Sequence, residues 1–138
     1  MNYTSIEQSK KLLELGLSPE SADCMWEQHN SETSYITVKP HTTLGRSIGA
    51  HTIPCWSVGA LLEVMPKEIS IPDEDEDFPP RVCYPFLEAC TWSEDYLWYG
   101  GLVDDAKCHK PMFKSNDILE IVYSTVVWLL ENNYIKHQ

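Results

Sequence analysis

Basic residues are scarce in this chain: ten Lys and Arg face twenty-one Asp and Glu, a formal net charge of −11 over 138 residues. Non-specific binding to nucleic acid is driven by counterion release at clustered Lys and Arg, and no such cluster occurs. An acidic chain also repels phosphate, so nucleic acid is not an expected partner. Long apolar runs are missing too. The longest is interrupted by Glu120 and Glu131, too soon for a membrane span. The amino end, Met1-Asn2-Tyr3-Thr4, has no basic stretch leading into an apolar one, so no signal peptide is read. The cysteines (Cys24, Cys55, Cys83, Cys90, Cys108) are odd in number and lack close paired spacing. Together these absences place the protein, as an expectation, in a reducing cytoplasm with free thiols.

Metal and nucleotide signatures are absent as well. Structural zinc sites show C-x₂₋₄-C or H-x₃₋₅-H pairs. Here His41 and His51 are ten apart, Cys83 and Cys90 seven apart, and Cys108 and His109 adjacent. No G-x-x-x-x-G-K-[ST], G-x-G-x-x-G or G-x-S-x-G occurs, so the commonest nucleotide and hydrolase motifs are missing. Neither a metal nor a cofactor is expected.

What is present suffices for a core. The hydrophobic fraction is 43% with five Trp, and this length fits one domain over 1–138. The clearest pattern is at 115–132, where Ile118, Val122, Val126, Leu129 and Leu130 recur at helical steps. Leu119, Ile121 and Val127 widen that stripe. Its β-branched content favours a strand, but eighteen residues without a turn signal exceed any ordinary strand. Ser115, Asn116 or Asp117 caps this helix, and Asn132-Asn133 ends it with residues that tolerate a left-handed backbone.

At the other end, 5–15 reads as a helix stopped by Gly16. Ser18 and Pro19 then open a second helix running to about Trp26, which completes a helical hairpin. A middle helix spans 54–66 between its two prolines. The interval 29–53 reads as a long irregular loop in which only Tyr35-Ile36-Thr37-Val38 is strand-like. Residues 68–103 alternate as strands: Ile69 and Ile71, then Val82 to Thr91 with Pro85 at an edge or bulge, then Tyr96 to Leu102. Ser93-Glu94-Asp95 serves as their turn, Gly100-Gly101 marks a bulge, and 104–114 is a polar connection. The expected class is α+β: a small antiparallel sheet of about three strands over 68–103, packed against the hairpin, the middle helix and the long C-terminal helix.

Three stretches carry a resemblance. They are Leu15-Gly16-Leu17-Ser18-Pro19-Glu20 within 12–23, Ile53-Pro54-Cys55-Trp56-Ser57-Val58-Gly59 within 53–66, and Val126-Val127-Trp128-Leu129-Leu130-Glu131-Asn132. In that order and spacing they resemble a family of small acidic proteins from gut Bacteroidetes, their phages and their mobile elements. The resemblance leaves 29–52 outside it and carries over no catalytic residue. It implies a cytoplasmic accessory protein of phage or mobile-element context.

The candidate sites divide by chemistry. Asp73-Glu74-Asp75-Glu76-Asp77 is the densest charge run, within an acidic loop at 72–80 flanked by Pro72 and Pro79-Pro80. It fails as a calcium loop, because Phe78 stands where glycine is needed and Tyr84 where a bidentate Glu is needed. It is best read as a solvated acidic loop, and its functional alternative is a docking patch for a basic partner. Cys55, read at a helix start with His51 four residues earlier, is the candidate nucleophile, since helix-terminal N–H groups lower a thiol pKa. Trp92, Tyr96 and Trp98 belong to an aromatic cluster with Tyr84, Phe86 and Tyr99. Alternation puts Tyr96 and Trp98 on one face and Leu97 and Tyr99 on the other, and an open face would suit a protein interface. The leading expectation is a non-enzymatic module that binds a protein partner. The alternatives are a small enzyme using a reactive cysteine or dispersed His and Cys on a metal, and a homo-oligomeric structural component.

Overall fold

Ser5 opens the first helix, α1 (Ile6–Glu14), with a reciprocal cap. Its side chain accepts from the Gln8 N–H while the Gln8 side chain accepts from the Ser5 N–H. Gly16, at φ +98°, closes the helix as its position predicts. The Gly16 N–H donates to Leu13 O and the Leu17 N–H to Leu12 O, which buries Leu12 and Leu17 in one apolar cluster. The computed structural model describes residues 2–28, 35–40, 52–73, 75, 77–106 and 109–135.

The expected helical hairpin does not form. Ser18 caps and Pro19 opens a helical segment, but this is a single 3₁₀ turn, Pro19–Ser21. Residues 24–26, read as its continuation, instead begin a strand, β1 (Cys24–Gln28). Met25, Glu27 and Gln28 favour helix intrinsically, yet β1 pairs on both sides, and that ladder outweighs a few tenths of a kcal/mol per residue. Its partners are β2 (Tyr35–Pro40) and β3 (Thr52–Cys55), in the antiparallel order β2-β1-β3. The interval 29–53 therefore holds one whole strand and the start of another. The rest of it, at 29–34 and 41–51, lies outside the described residues.

The middle helix is shorter than its prolines suggest. Pro54 and Cys55 belong to β3, an edge strand where a proline costs no ladder bond. The helix, α2 (Val58–Val64), starts after Ser57, whose hydroxyl accepts from the Ala60 N–H at 3.2 Å.

The second sheet has four strands where about three were expected: β4 (Ile69–Ile71), β5 (Arg81–Ala89), β6 (Trp98–Asp104) and β7 (His109–Ser115), antiparallel in that order. Pro85 lies beyond the end of β4, where β5 is the sheet edge, as its missing N–H requires. The β5–β6 connection runs from Cys90 to Leu97 and is longer than the three-residue turn expected. β7 fills the expected polar connection. With only Met112 and Phe113 apolar, and with Pro111 and Lys114 flanking them, it has the composition of an edge strand, which hides it from pattern reading. The β6–β7 register shifts between Gly101 and Val103, so the glycine pair does mark a bulge.

The last helix, α3 (Ile118–Glu131), is capped by Asp117, whose side chain accepts from the Leu119 N–H at 3.0 Å. Asn133 takes φ +62° beyond its end. The stripe read from sequence is buried: Leu119, Ile121, Val122, Val126, Val127, Leu129 and Leu130 all face inward, and Ile118 packs at the rim. Leu12, Trp56, Leu61, Val122 and Val126 form one cluster with α1 and α2. Ile69, Cys83, Leu102 and Leu129 form another against the sheet. α3 thus joins both parts, and each fully buried leucine contributes about 1.5–3 kcal/mol. Among the described residues no helix is long and apolar enough to cross a membrane.

Candidate functional site

The two faces of the four-stranded sheet differ sharply. Gly100 marks the covered one, since a Cβ there would meet Ile121 Cγ2 of α3 at 2.7 Å. Leu102, two residues on, is fully buried on the same side. Trp98 shares that phase, paired with Ala89 and Ser115, and is half-buried. The opposite face carries Tyr99, Phe86, Tyr84, Glu88 and Lys114, all placed there by register.

On that face the aromatics make a row. Phe86 and Tyr99 meet edge to face with ring centres 5.5 Å apart, and Trp92 and Tyr99 do the same at 5.7 Å. Lys114 Nζ lies 4.5 Å above the Trp92 ring, a cation seated on the end of the row. The Tyr99 hydroxyl donates to Glu88 Oε2 at 2.6 Å. That hydrogen bond, more than burial, holds the Tyr99 phenol above its ordinary pKa. Tyr84, farther along the same strand face, is also raised, first by the charge of Asp105, then by burial and Glu68. Two phenols of one face therefore sit in a negative field. Trp92 is 57% exposed and Leu97 63%, with Val82 and Met112 also exposed.

Of the aromatic candidates, Trp92 belongs to this row, while Trp98 points to the helix side. Tyr96 lines a separate groove of about 420 Å³ between β7 and α3, together with Phe113, Lys114 and Glu120. Glu88 and Lys114 had no signal in the sequence, because cross-strand neighbours are invisible without a register.

The acidic loop lies at the far end of β5. Nine residues separate the two ends, about 25–30 Å of extended chain. Asp73 and Asp75 turn their carboxylates onto the N–H groups of Asp75 and Asp77, each at 3.0 Å, so much of their hydrogen bonding is local. Asp73 also approaches Arg81 Nε at 4.0 Å, and Arg81 reaches the buried Asp104 at 3.5 Å. Asp75 and Asp77 remain exposed. Glu74 and Glu76 lie outside the described residues. Among the described residues no group of three or more His, Cys, Asp or Glu could hold a metal ion.

Cys55 is not at a helix start. It sits in β3, fully buried. Burial, followed by the charges of Cys24 and Asp23, pushes its thiol up to about 12 from an ordinary 9.0. It is a neutral thiol at physiological pH, the opposite of an activated nucleophile. His51 lies outside the described residues. The raised value has a stability consequence. The unfolded thiol ionises near 9.0 and the folded one near 12, so its contribution is complete below pH 9.0 and is lost as pH rises toward 12. Urea unfolding above pH 9.0 is expected to lose up to about 1.4 kcal/mol per pH unit from this group. The Cys55→Ala protein should show a correspondingly shallower decline. Equal slopes for the two proteins would refute that origin.

No protein-family model matches this chain, and comparisons with curated proteins and with solved structures give no match.

Proposed function

We propose that this protein is a non-enzymatic accessory module that takes an extended, Lys- or Arg-bearing segment of a protein partner along the open face of β5, β6 and β7. The observation that carries this reading is Lys114 over Trp92 at 4.5 Å, because it displays the ligand chemistry that the row accepts. Charge complementarity supports the same occupant. Residues 67–107 hold three bases against eleven acids, within a chain of net charge −11. The row at one end of β5 and the acidic loop at the other suit a partner lying along the strand. Each exposed cation–aromatic contact contributes about 0.5–1 kcal/mol, so affinity comes from several contacts together and weakens with salt. The accessory role implied by the resemblance to small phage and mobile-element proteins agrees with such a surface.

Titrating the isotopically labelled chain with oligolysine and with oligoglutamate, read by amide chemical shifts, tests the reading. Saturable, salt-sensitive shifts at Phe86, Trp92, Tyr99 and Lys114 are expected with oligolysine and none with oligoglutamate. Trp92→Ala should weaken binding several-fold. Replacing Asp73, Glu74, Asp75, Glu76 and Asp77 by Asn and Gln should do so as well, without lowering Tm. Shifts scattered over the acidic surface, and unchanged in the Trp92 variant, would reduce the effect to bulk charge and overturn the site.

A further inference from the structure

Cysteines thirty-one positions apart in sequence, Cys24 and Cys55, are direct cross-strand partners in the β1–β3 ladder. Directly opposed residues of antiparallel strands have Cα atoms about 4.5 or 5.5 Å apart and side chains on one face. Both spacings fall within the range of about 4.4–6.8 Å that a disulfide spans. The two thiols also sense each other, because the charge of Cys24 is the second cause, after burial, of the raised value at Cys55. Their access differs: Cys24 is 8% exposed and Cys55 fully buried. Burial first, and then the charge of Asp23, hold the Cys24 thiol above its ordinary pKa, with Tyr3 acting in the opposite direction.

We propose that Cys24 and Cys55 are a peroxide-oxidisable dithiol that closes into a disulfide between β1 and β3. A small neutral oxidant, hydrogen peroxide, reaches Cys24. The Cys24 thiolate takes one peroxide oxygen, the O–O bond breaks, and the departing hydroxide gains a proton to become water, leaving a sulfenic acid. The Cys55 sulfur then attacks the Cys24 sulfur and the S–O bond breaks. The Cys55 proton leaves with that oxygen as a second water. Two thiols are oxidised and one peroxide is reduced by two electrons. Burial keeps the thiolate fraction low, so the reaction is slow beside that of a dedicated peroxide sensor. The product ties the outer strand β3 to β1 and closes the chain between residues 24 and 55 into a loop, which restricts the unfolded state.

The test uses the folded full chain. It is treated with hydrogen peroxide, alkylated under denaturing conditions, and followed by intact mass and peptide mapping. The expected result is a species lighter by two hydrogens before alkylation, with a reductant-sensitive peptide pair containing Cys24 and Cys55. Cys83 and Cys90 should be alkylated, and Tm should rise by several degrees, reversibly with dithiothreitol. Cys55→Ala should stop at a Cys24 sulfenic acid that dimedone labels. Mapping of the unaltered chain is decisive even if that variant folds poorly. A linkage to any other cysteine, a preference for oxidising Cys55 alone, or alkylation of both Cys24 and Cys55 after prolonged treatment would overturn the proposal.

Discussion

Gly101→Ala is expected to lower stability by roughly 3 kcal/mol or more, a Tm fall of about 10 °C for a chain of this size. Two costs combine. Gly101 holds φ +142°, a conformation that strains any residue with a Cβ. The added Cβ would also lie 2.2 Å from Pro111 O and 3.2 Å from the Met112 Cα. Both neighbours are backbone of β7, so no rotamer change relieves the overlap and the β6–β7 pairing must part. Because Gly101 pairs with Met112 in the same continuous run that pairs Tyr99 with Lys114, parting the strands there should also erase the cation contact on Trp92. Gly59→Ala is the matched control. Gly59 lies in α2, where its new Cβ would meet nothing closer than Ser57 Oγ at 3.8 Å, and that change should gain up to about 1 kcal/mol. Thermal unfolding followed by circular dichroism compares the two. A Gly101→Ala protein as stable as the parent would refute the bulge geometry.

Trp56→Ala should be comparably damaging, at about 3–5 kcal/mol, a large part of the roughly 5–15 kcal/mol available to an ordinary domain. Trp56 is fully buried in the cluster shared by α1, α2 and α3. Its backbone also joins the amino-terminal segment to the end of β3: Thr4 N–H donates to Trp56 O at 2.9 Å, and Trp56 N–H donates to Thr4 Oγ1 at 3.0 Å. The indole N–H donates to Ser21 Oγ at 2.9 Å, which fixes the 3₁₀ turn. Trp56→Phe separates the contributions. It keeps an aromatic ring in the cavity and loses the indole hydrogen bond, for about 1–2 kcal/mol. The urea midpoint should fall in the order parent, Phe, Ala. Indistinguishable Phe and Ala proteins would show that the hydrogen bond, and not the packing, dominates this position.

Local signals survived folding wherever their cause was local. Gly16, Asp117 and Asn133 cap or stop helices through bonds to residues a few positions away, and each does so in the structure. The apolar stripe of α3 was legible because every turn of a helix repeats the same demand for burial. The reading failed where a distant partner decided. Residues 24–27 and 52–55 became strands because they pair with one another, and nothing within either segment announces the other. β7 was missed because edge strands tolerate the lysines and proline that mark loops.

The aromatic face shows the same division. Alternation in 96–102 separates Trp98 from Tyr99, but a period of two is symmetric between the faces and does not say which one meets a helix. Contact between Gly100 and α3 settles it, turning Trp98 inward and leaving Tyr99 outside. Composition and short-range pattern by themselves determined an acidic α+β protein, its last helix and its caps, since propensity, charge and capping act over a few residues. Only tertiary contact decided the strand partners, the cysteine pair and the exposed face, since these depend on which remote segments lose water together.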